Sequence, residues 1–204
     1  MANTIQEYAV ERGINYLVHF TRASNLDSIL KYGLVPRDAL TLSGYTGFND
    51  QYRYDGTNAV CLSIAFPNYK MFWGVRQDYK VDWVILVIFK EALWKLPCAF
   101  CATNAASACV TAVPLDQRRD LAALKAMYAD WGDKTRVMLG IPDNYPTNPQ
   151  AEVLMLNGVP REYIRGAFVL NEATKVALQV KYPELDVRVN ASYFRYRRDY
   201  AQWK

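Results

Sequence analysis

The run "WVILVIF" at residues 83–89 limits what this chain can become more than any other stretch. No polar side chain interrupts it, yet it falls far short of the roughly 20 apolar residues a helix needs to cross a bilayer. It reads as the centre of a strand, "VDWVILVIF" at 81–89. Comparable strand-like runs are "YLVHFT" at 16–21, "AVCLSIAF" at 59–66, "QAEVLML" at 150–156 and "IRGAFVL" at 164–170. Helical patterns separate them, so the order is mixed and the expected class is α+β. At 204 residues, a single domain over 1–204 is expected, since single cores commonly extend to roughly 250 residues before they divide.

The clearest helical pattern is "SNLDSILKYG". Ser24 is a natural N-cap with Asp27 three positions on, Leu26, Ile29 and Leu30 make an apolar stripe, and Gly33 supplies the stop. A second helix is expected to begin at Pro67, whose fixed φ suits a first turn, and a third to run through "LAALKAMYA". Residues 35–58, "VPRDALTLSGYTGFNDQYRYDGTN", have no convincing period. A loop this long in a compact domain is usually functional, and its tyrosines and arginines argue against a plain linker. A substrate-ordering loop is expected.

Composition narrows the class further. The polar start "MANTIQEYAVER" has no signal-peptide core, and 51% hydrophobic with 22% charged residues is ordinary for a globular chain, so a soluble cytoplasmic protein is expected. "CAFC" has zinc-knuckle spacing, but zinc needs four ligands and the only histidine, His19, is far away in sequence. Cys61, Cys98, Cys101 and Cys109 are therefore expected to be reduced packing residues, Cys61 as a small buried member of its strand, with no metal and no disulfide. The net charge of +4 permits an anionic partner. The end of the chain, "YFRYRRDYAQWK", interleaves basic and aromatic side chains. That composition suits phosphates and unpaired bases, and equally an edge strand with rings facing the core and arginines facing water. Neither a Gly-x-Gly-x-x-Gly turn, a phosphate loop nor a Gly-x-Ser-x-Gly elbow is present.

One carboxylate stands out. In "NYPTNPQAEVLML", Glu152 sits directly against an apolar run. Taken by itself it can be a catalyst, a salt-bridge partner or the solvent-facing member of an alternating edge.

Three pieces in this order, "HFT", "SIAFPNYKMF" and "YPTNPQAEVL", together with "HFTRASNLDSILKYGLVPR" and "CAFCATNAAS", resemble the DarT family of DNA ADP-ribosyltransferase toxins over most of the chain. The resemblance implies a central split β-sheet of ADP-ribosyltransferase type flanked by helices, with NAD as co-substrate and no metal. It implies His19 on the adenosine ribose, Thr21 beside the nicotinamide amide, Tyr69 or Phe72 stacked on nicotinamide, and Glu152 as the catalytic carboxylate. Cleaving the nicotinamide–ribose bond puts positive charge on the sugar, which a carboxylate can steady as in glycoside cleavage. Gln150, two residues earlier, would share the strand face with Glu152 and help place the acceptor. Arg53 from the long loop, with Arg37 as the second candidate, would serve the acceptor base. The sequence looks closer to the guanine-modifying branch, with thymine second. The family further implies single-stranded DNA as substrate and an antitoxin that removes ADP-ribose from DNA; a monomer away from membranes is expected. Two rivals are an ADP-ribosyltransferase acting on RNA or protein, and a non-catalytic module that binds single strands.

Overall fold

Strand register sets the layout. The computed structural model describes residues 2–42, 56–78 and 80–204. Its strands are β1 Tyr16–Arg22, β2 Val60–Ile64, β3 Trp83–Phe89, β4 Cys98–Cys101, β5 Glu152–Met155, β6 Ile164–Val169 and β7 Asp186–Val189. They form one seven-stranded sheet in the order β4-β5-β2-β1-β3-β6-β7. All neighbours are antiparallel except β6 and β7, which run parallel. The helices are α1 Ile5–Glu11, α2 Leu26–Tyr32, α3 Arg37–Leu42, α4 Tyr69–Asp78, α5 Ala92–Lys95, α6 Ala108–Thr111, α7 Leu121–Ala126, α8 Arg136–Leu139 and α9 Glu172–Lys181. The α+β expectation and the five expected strands are present, and β4 and β7 are additional.

The sheet divides between β1 and β2. These strands pair only at Leu17↔Ile64 and Val18↔Ser63, whereas β1 pairs with β3 from Tyr16↔Phe89 through Arg22↔Trp83. Beyond Val18, β1 follows β3 and leaves β2 to β5, which it meets from Val60↔Met155 to Leu62↔Val153. This is the split sheet that the resemblance implies.

Alternation then distributes the core over two faces. One face carries Leu17, Leu62, Ile64, Leu86, Val153 and Met155, covered by residues such as Ala9, Leu26, Leu93 and Leu124 from α1, α2, α5 and α7. The other carries two separate apolar clusters, one around Val18, Ile85, Phe72 and Tyr193, the other around Ala99, Cys101, Val110 and Leu154. Val18 faces Ser63 and Cys101 faces Glu152 in the register, so these two buried polar residues lie in the seam between the clusters.

Several local expectations shift. Ser24 lies inside a 3-10 turn, Ala23–Asn25, so α2 begins at Leu26 behind Asn25 and Ser24 does not cap it. Gly33 does end α2, at φ +81°, and a Cβ there would lie 2.3 Å from the Val159 carbonyl, so glycine is required. The second helix starts at Tyr69, two residues after Pro67, because Asn68 spends its backbone N–H on Ser63 Oγ and its side-chain oxygen on the N–H of Met71. The long 35–58 segment is not wholly aperiodic, since 37–42 form α3. The C-terminus is no edge strand: it folds into two 3-10 turns, Ala191–Phe194 and Tyr200–Trp203. Tyr193, Phe194 and Trp203 are buried as that reading required, yet Arg197 is buried too.

Candidate active site

Glu152 begins β5, an internal strand flanked by β4 and β2, and it is 5% exposed. A carboxylate withdrawn from water is costly unless donors meet its oxygens. Here they do. The backbone N–H of Ala105 donates to Oε2 at 2.8 Å, and Asn68 Nδ2 donates to Oε1 at 3.4 Å. The first donor comes from the loop after β4. Because Cys101 pairs with Glu152, the chain leaving "CAFC" passes beside the carboxylate, which gives "CATNAAS" a structural purpose. The second comes from the β2–α4 connection, turned by Ala65 at φ +61°. A non-glycine residue in that region is uncommon and is held by its surroundings.

The approach to Glu152 is fixed from several sides. Arg136 donates to the carbonyls of Pro142 and Tyr145 and to Thr147 Oγ1 at 2.8–3.0 Å. Arg197 donates to the carbonyls of Pro146 and Thr147 at 2.8 and 2.7 Å while forming a bidentate pair with Asp199 at 2.7 and 2.6 Å. Trp203 Nε1 also donates to Asp199, at 2.7 Å. Asn148 Nδ2 reaches Thr103 Oγ1 at 3.0 Å and ties this segment to the loop bearing Ala105. Asn148 Oδ1 accepts from the backbone N–H of Gln150 at 2.9 Å. Gln150 itself precedes the strand in a turn, so period-two alternation does not relate it to Glu152.

His19 lies on β1, where the ladder to β2 has ended. Its half-buried ring takes up the position of the missing rung, with Nδ1 2.9 Å from the Cys61 carbonyl. Burial lowers its pKa below the ordinary 6.5, opposed by that backbone contact. The ring is thus neutral at pH 7 with its proton on Nδ1, which leaves Nε2 as an acceptor. By alternation His19 shares the Leu17 side of the sheet, and Glu152 the Leu154 side. Strand β2 stands between them. Thr21 is buried and its hydroxyl accepts from Asn25 Nδ2 at 3.0 Å.

The two candidate aromatics are both buried in the same apolar cluster and differ in their neighbours. Phe72 belongs to the core, stacked on Phe20 at 4.6 Å and edge-on to Trp83 at 5.6 Å. Tyr69 adjoins Asn68 in sequence, and its buried hydroxyl has no hydrogen-bond partner among the described residues. Burial, reinforced by Asp199, pushes its pKa up to about 12, so the hydroxyl keeps its proton. Arg37 opens α3, and Asp38 beside it is tied by its N–H to Asn58 Oδ1 at 3.0 Å. Arg53 lies outside the described residues.

No group of His, Cys, Asp and Glu suited to a metal occurs among the described residues. Cys98 and Cys101 are buried, with Cys98 Sγ donating to the Leu93 carbonyl and Cys101 Sγ accepting from Arg118. Cys61 and Cys109 are exposed. For Cys61 this corrects the expectation of a buried strand residue, because β1 has already turned away where its side chain emerges.

Several solved structures share this fold. Thermus sp. 2.9 DarT in complex with carba-NAD+ superposes with a TM-score of 0.58 at 16% identity, covering 89% of this chain and 98% of that one. Thermus sp. 2.9 DarT in complex with ADP-ribosylated ssDNA gives 0.53 at 16% identity, covering 90% and 97%. Thermosipho africanus DarTG in complex with ADP-ribose gives 0.57 at 14% identity, covering 88% of this chain but 51% of that longer one. No curated protein matches the sequence. The fold is therefore that of the DarT ADP-ribosyltransferase structures. Residues 18–195 match the family model described as ssDNA thymidine ADP-ribosyltransferase, DarT, and the chain belongs to the DarT family.

Proposed function

We propose that this protein transfers ADP-ribose from NAD to a base in single-stranded DNA, with release of nicotinamide. The observation that carries the reading is Glu152: a buried carboxylate met by the Ala105 N–H and the Asn68 amide, in a chain of the DarT family. As the bond from ribose C1′ to the nicotinamide nitrogen breaks, the electron pair leaves with nicotinamide and positive charge grows on the sugar. Glu152 accepts a hydrogen bond from the ribose 2′-hydroxyl and balances that charge. A base nitrogen then bonds to C1′, and Glu152 takes the proton the base gives up.

Other roles follow the family resemblance. His19 Nε2 accepts from a hydroxyl of the adenosine ribose, Thr21 lies beside the nicotinamide amide, and Tyr69 meets the nicotinamide with Phe72 supporting it from the core. Gln150 helps place the acceptor. Arg53 serves the acceptor base, with Arg37 as the second candidate, and changing Arg53 to Ala should impair DNA modification more than slow NAD hydrolysis. Equal losses would put Arg53 in NAD binding.

The strand-to-helix sequence "SIAFPNYKMFWGVR" favours guanine as the acceptor, while the family description names thymidine. Labelled NAD offered with oligonucleotides that differ in one base type, followed by mass analysis, decides between them. Single strands are favoured because a paired base has to be extruded at a cost of a few kcal/mol. Label appearing on RNA or protein instead would move the enzyme to another acceptor class, and no NAD consumption would reduce the protein to a binding module. We further propose that it acts as the toxin of a pair whose antitoxin removes ADP-ribose from DNA. Growth arrest on expression, relieved by Glu152→Gln, tests that role.

A further inference from the structure

Where the chain beyond residue 195, outside the span that matches the family model, packs against α4, it builds a surface that the proposed chemistry leaves unused. Trp73 of α4, Tyr196 and Tyr200 form a row of rings. The Trp73–Tyr196 centroids are 5.0 Å apart, and Tyr196 stacks on Tyr200 at 5.1 Å with 20° between planes. Despite these contacts the three residues remain 44%, 42% and 41% exposed. Contiguous aromatic area kept out of the core marks an interaction surface.

Two further observations say what it meets. The row is joined to the candidate active site, since Tyr196 packs edge-on against Tyr69 at 5.7 Å and the neighbouring Asn68 donates to Glu152. Its charge is one-sided. Arg195 and Arg198 are exposed, the first preceding Tyr196 and the second lying between Tyr196 and Tyr200 in sequence, and Lys204 Nζ lies 5.7 Å from the Tyr200 centroid. The one acid between 190 and 204, Asp199, is buried and paired with Arg197, so it does not oppose an incoming anion. Rings interleaved with cations that pair with no acid among the described residues fit a polyanion whose bases are free to stack. A duplex hides its base faces, and an apolar protein partner has no need of the surplus positive charge.

We propose that Trp73, Tyr196 and Tyr200 form a base-stacking track that holds single-stranded DNA flanking the modified nucleotide, with phosphates toward Arg195 and Arg198. This deepens the reading of Glu152 as the centre that modifies such a strand, and rests on it for the track's purpose. Binding to the track needs no NAD.

The test is fluorescence anisotropy with a fluorescein-labelled single-stranded DNA of mixed sequence and no NAD present. Tyr196→Ala and Tyr200→Ala should each weaken binding about tenfold, the scale of a lost base stack, and adding Trp73→Ala should weaken it further. Tyr196→Phe and Tyr200→Phe should bind as the wild type does, because stacking uses the ring and not the hydroxyl. Arg198→Ala should flatten the salt dependence by about one counterion. Thermal midpoints accompany every measurement. Wild-type affinity in the triple alanine variant would overturn the track and leave the rings for a protein partner. Equal loss in the phenylalanine variants would also overturn it. If the alanine variants lose the strand while the wild type consumes no NAD, the track stands and the reading of Glu152 falls.

Discussion

Glu152 and His19 stand on strands separated only by β2, yet their surroundings differ in kind. Glu152 is enclosed, with a backbone N–H and a side-chain amide on its two oxygens, and the chain leading to it is clamped by Arg136 and Arg197. His19 is half-buried and meets the Cys61 carbonyl where the β1–β2 ladder ends. The contrast follows from the two side chains. A carboxylate in the interior requires donors to replace water, whereas an imidazole can give up its proton and remain as a neutral acceptor. In the proposed reaction, the Glu152 end would meet developing positive charge and the His19 end would accept a hydroxyl.

The comparison breaks most severely if the clamp on the Glu152 side is removed. Asp199→Ala leaves the Arg197 guanidinium buried without its counter-charge, and should cost about 3–5 kcal/mol of folding stability. Chemical denaturation reads it, and a loss under about 1 kcal/mol would mean that the pair does not anchor the segment. A smaller effect is expected at Asn68. Asn68→Ala removes the side-chain amide that donates to Glu152 Oε1 and should lower transfer about tenfold, the scale of a hydrogen bond to a charged group. It also removes a helix cap, so Asn68→Ser is the companion variant: its hydroxyl can cap α4 but is too short to replace the amide at Glu152. A restored thermal midpoint without restored transfer supports the positioning role, and restored transfer would assign the loss to the helix alone.

The smallest effect lies at His19. As the only histidine in the chain, it gives unambiguous ring signals in nitrogen-15 NMR. At pH 7 the proton should sit on Nδ1, and the titration midpoint should fall below 6.5. Because the folded value is depressed, the unfolded chain protonates first as pH falls. The contribution of His19 to stability is therefore complete above about 6.5 and declines as pH drops from there to the folded value. A midpoint above about 7 would make His19 mainly a cation at pH 7 and would contradict the acceptor role proposed for it.

Much of this was legible in the sequence and some was not, for physical reasons. The runs containing His19 and Glu152 announced their strands because five strands carry long apolar runs. β4 and β7 are short, four residues each, and "CAFC" drew attention as a thiol spacing before it could be read as a strand. Glu152 stood out as one acid against an apolar run, but nothing in its spacing revealed that the loop after β4 would supply a backbone donor, since a backbone N–H leaves no trace in residue identity. The same holds for Arg197. The alternating basic and aromatic residues around it suggested either bases or an edge strand, while the structure buries Arg197 and leaves Tyr196 and Tyr200 at the surface. Only "PN" in "SIAFPNYKMF" carried a usable signal for Asn68, a capping residue type just before a helix. Gln150 was misplaced because the turn made by Asn148 delays the start of the strand to Glu152.

The most direct measurement sets wild type beside Glu152→Gln in one assay: transfer of label from adenylate-labelled NAD to single-stranded DNA, with nicotinamide release and thermal midpoint followed together. The amide keeps the shape of the carboxylate but loses its charge and its capacity to take a proton, and loss of one such contributor typically costs about 10² to 10⁴ in rate. The expected result is labelled DNA and matching nicotinamide from the wild type, and loss of both in a variant that remains folded. Equal transfer by the two proteins would remove Glu152 from the chemistry and contradict the function assigned to this site.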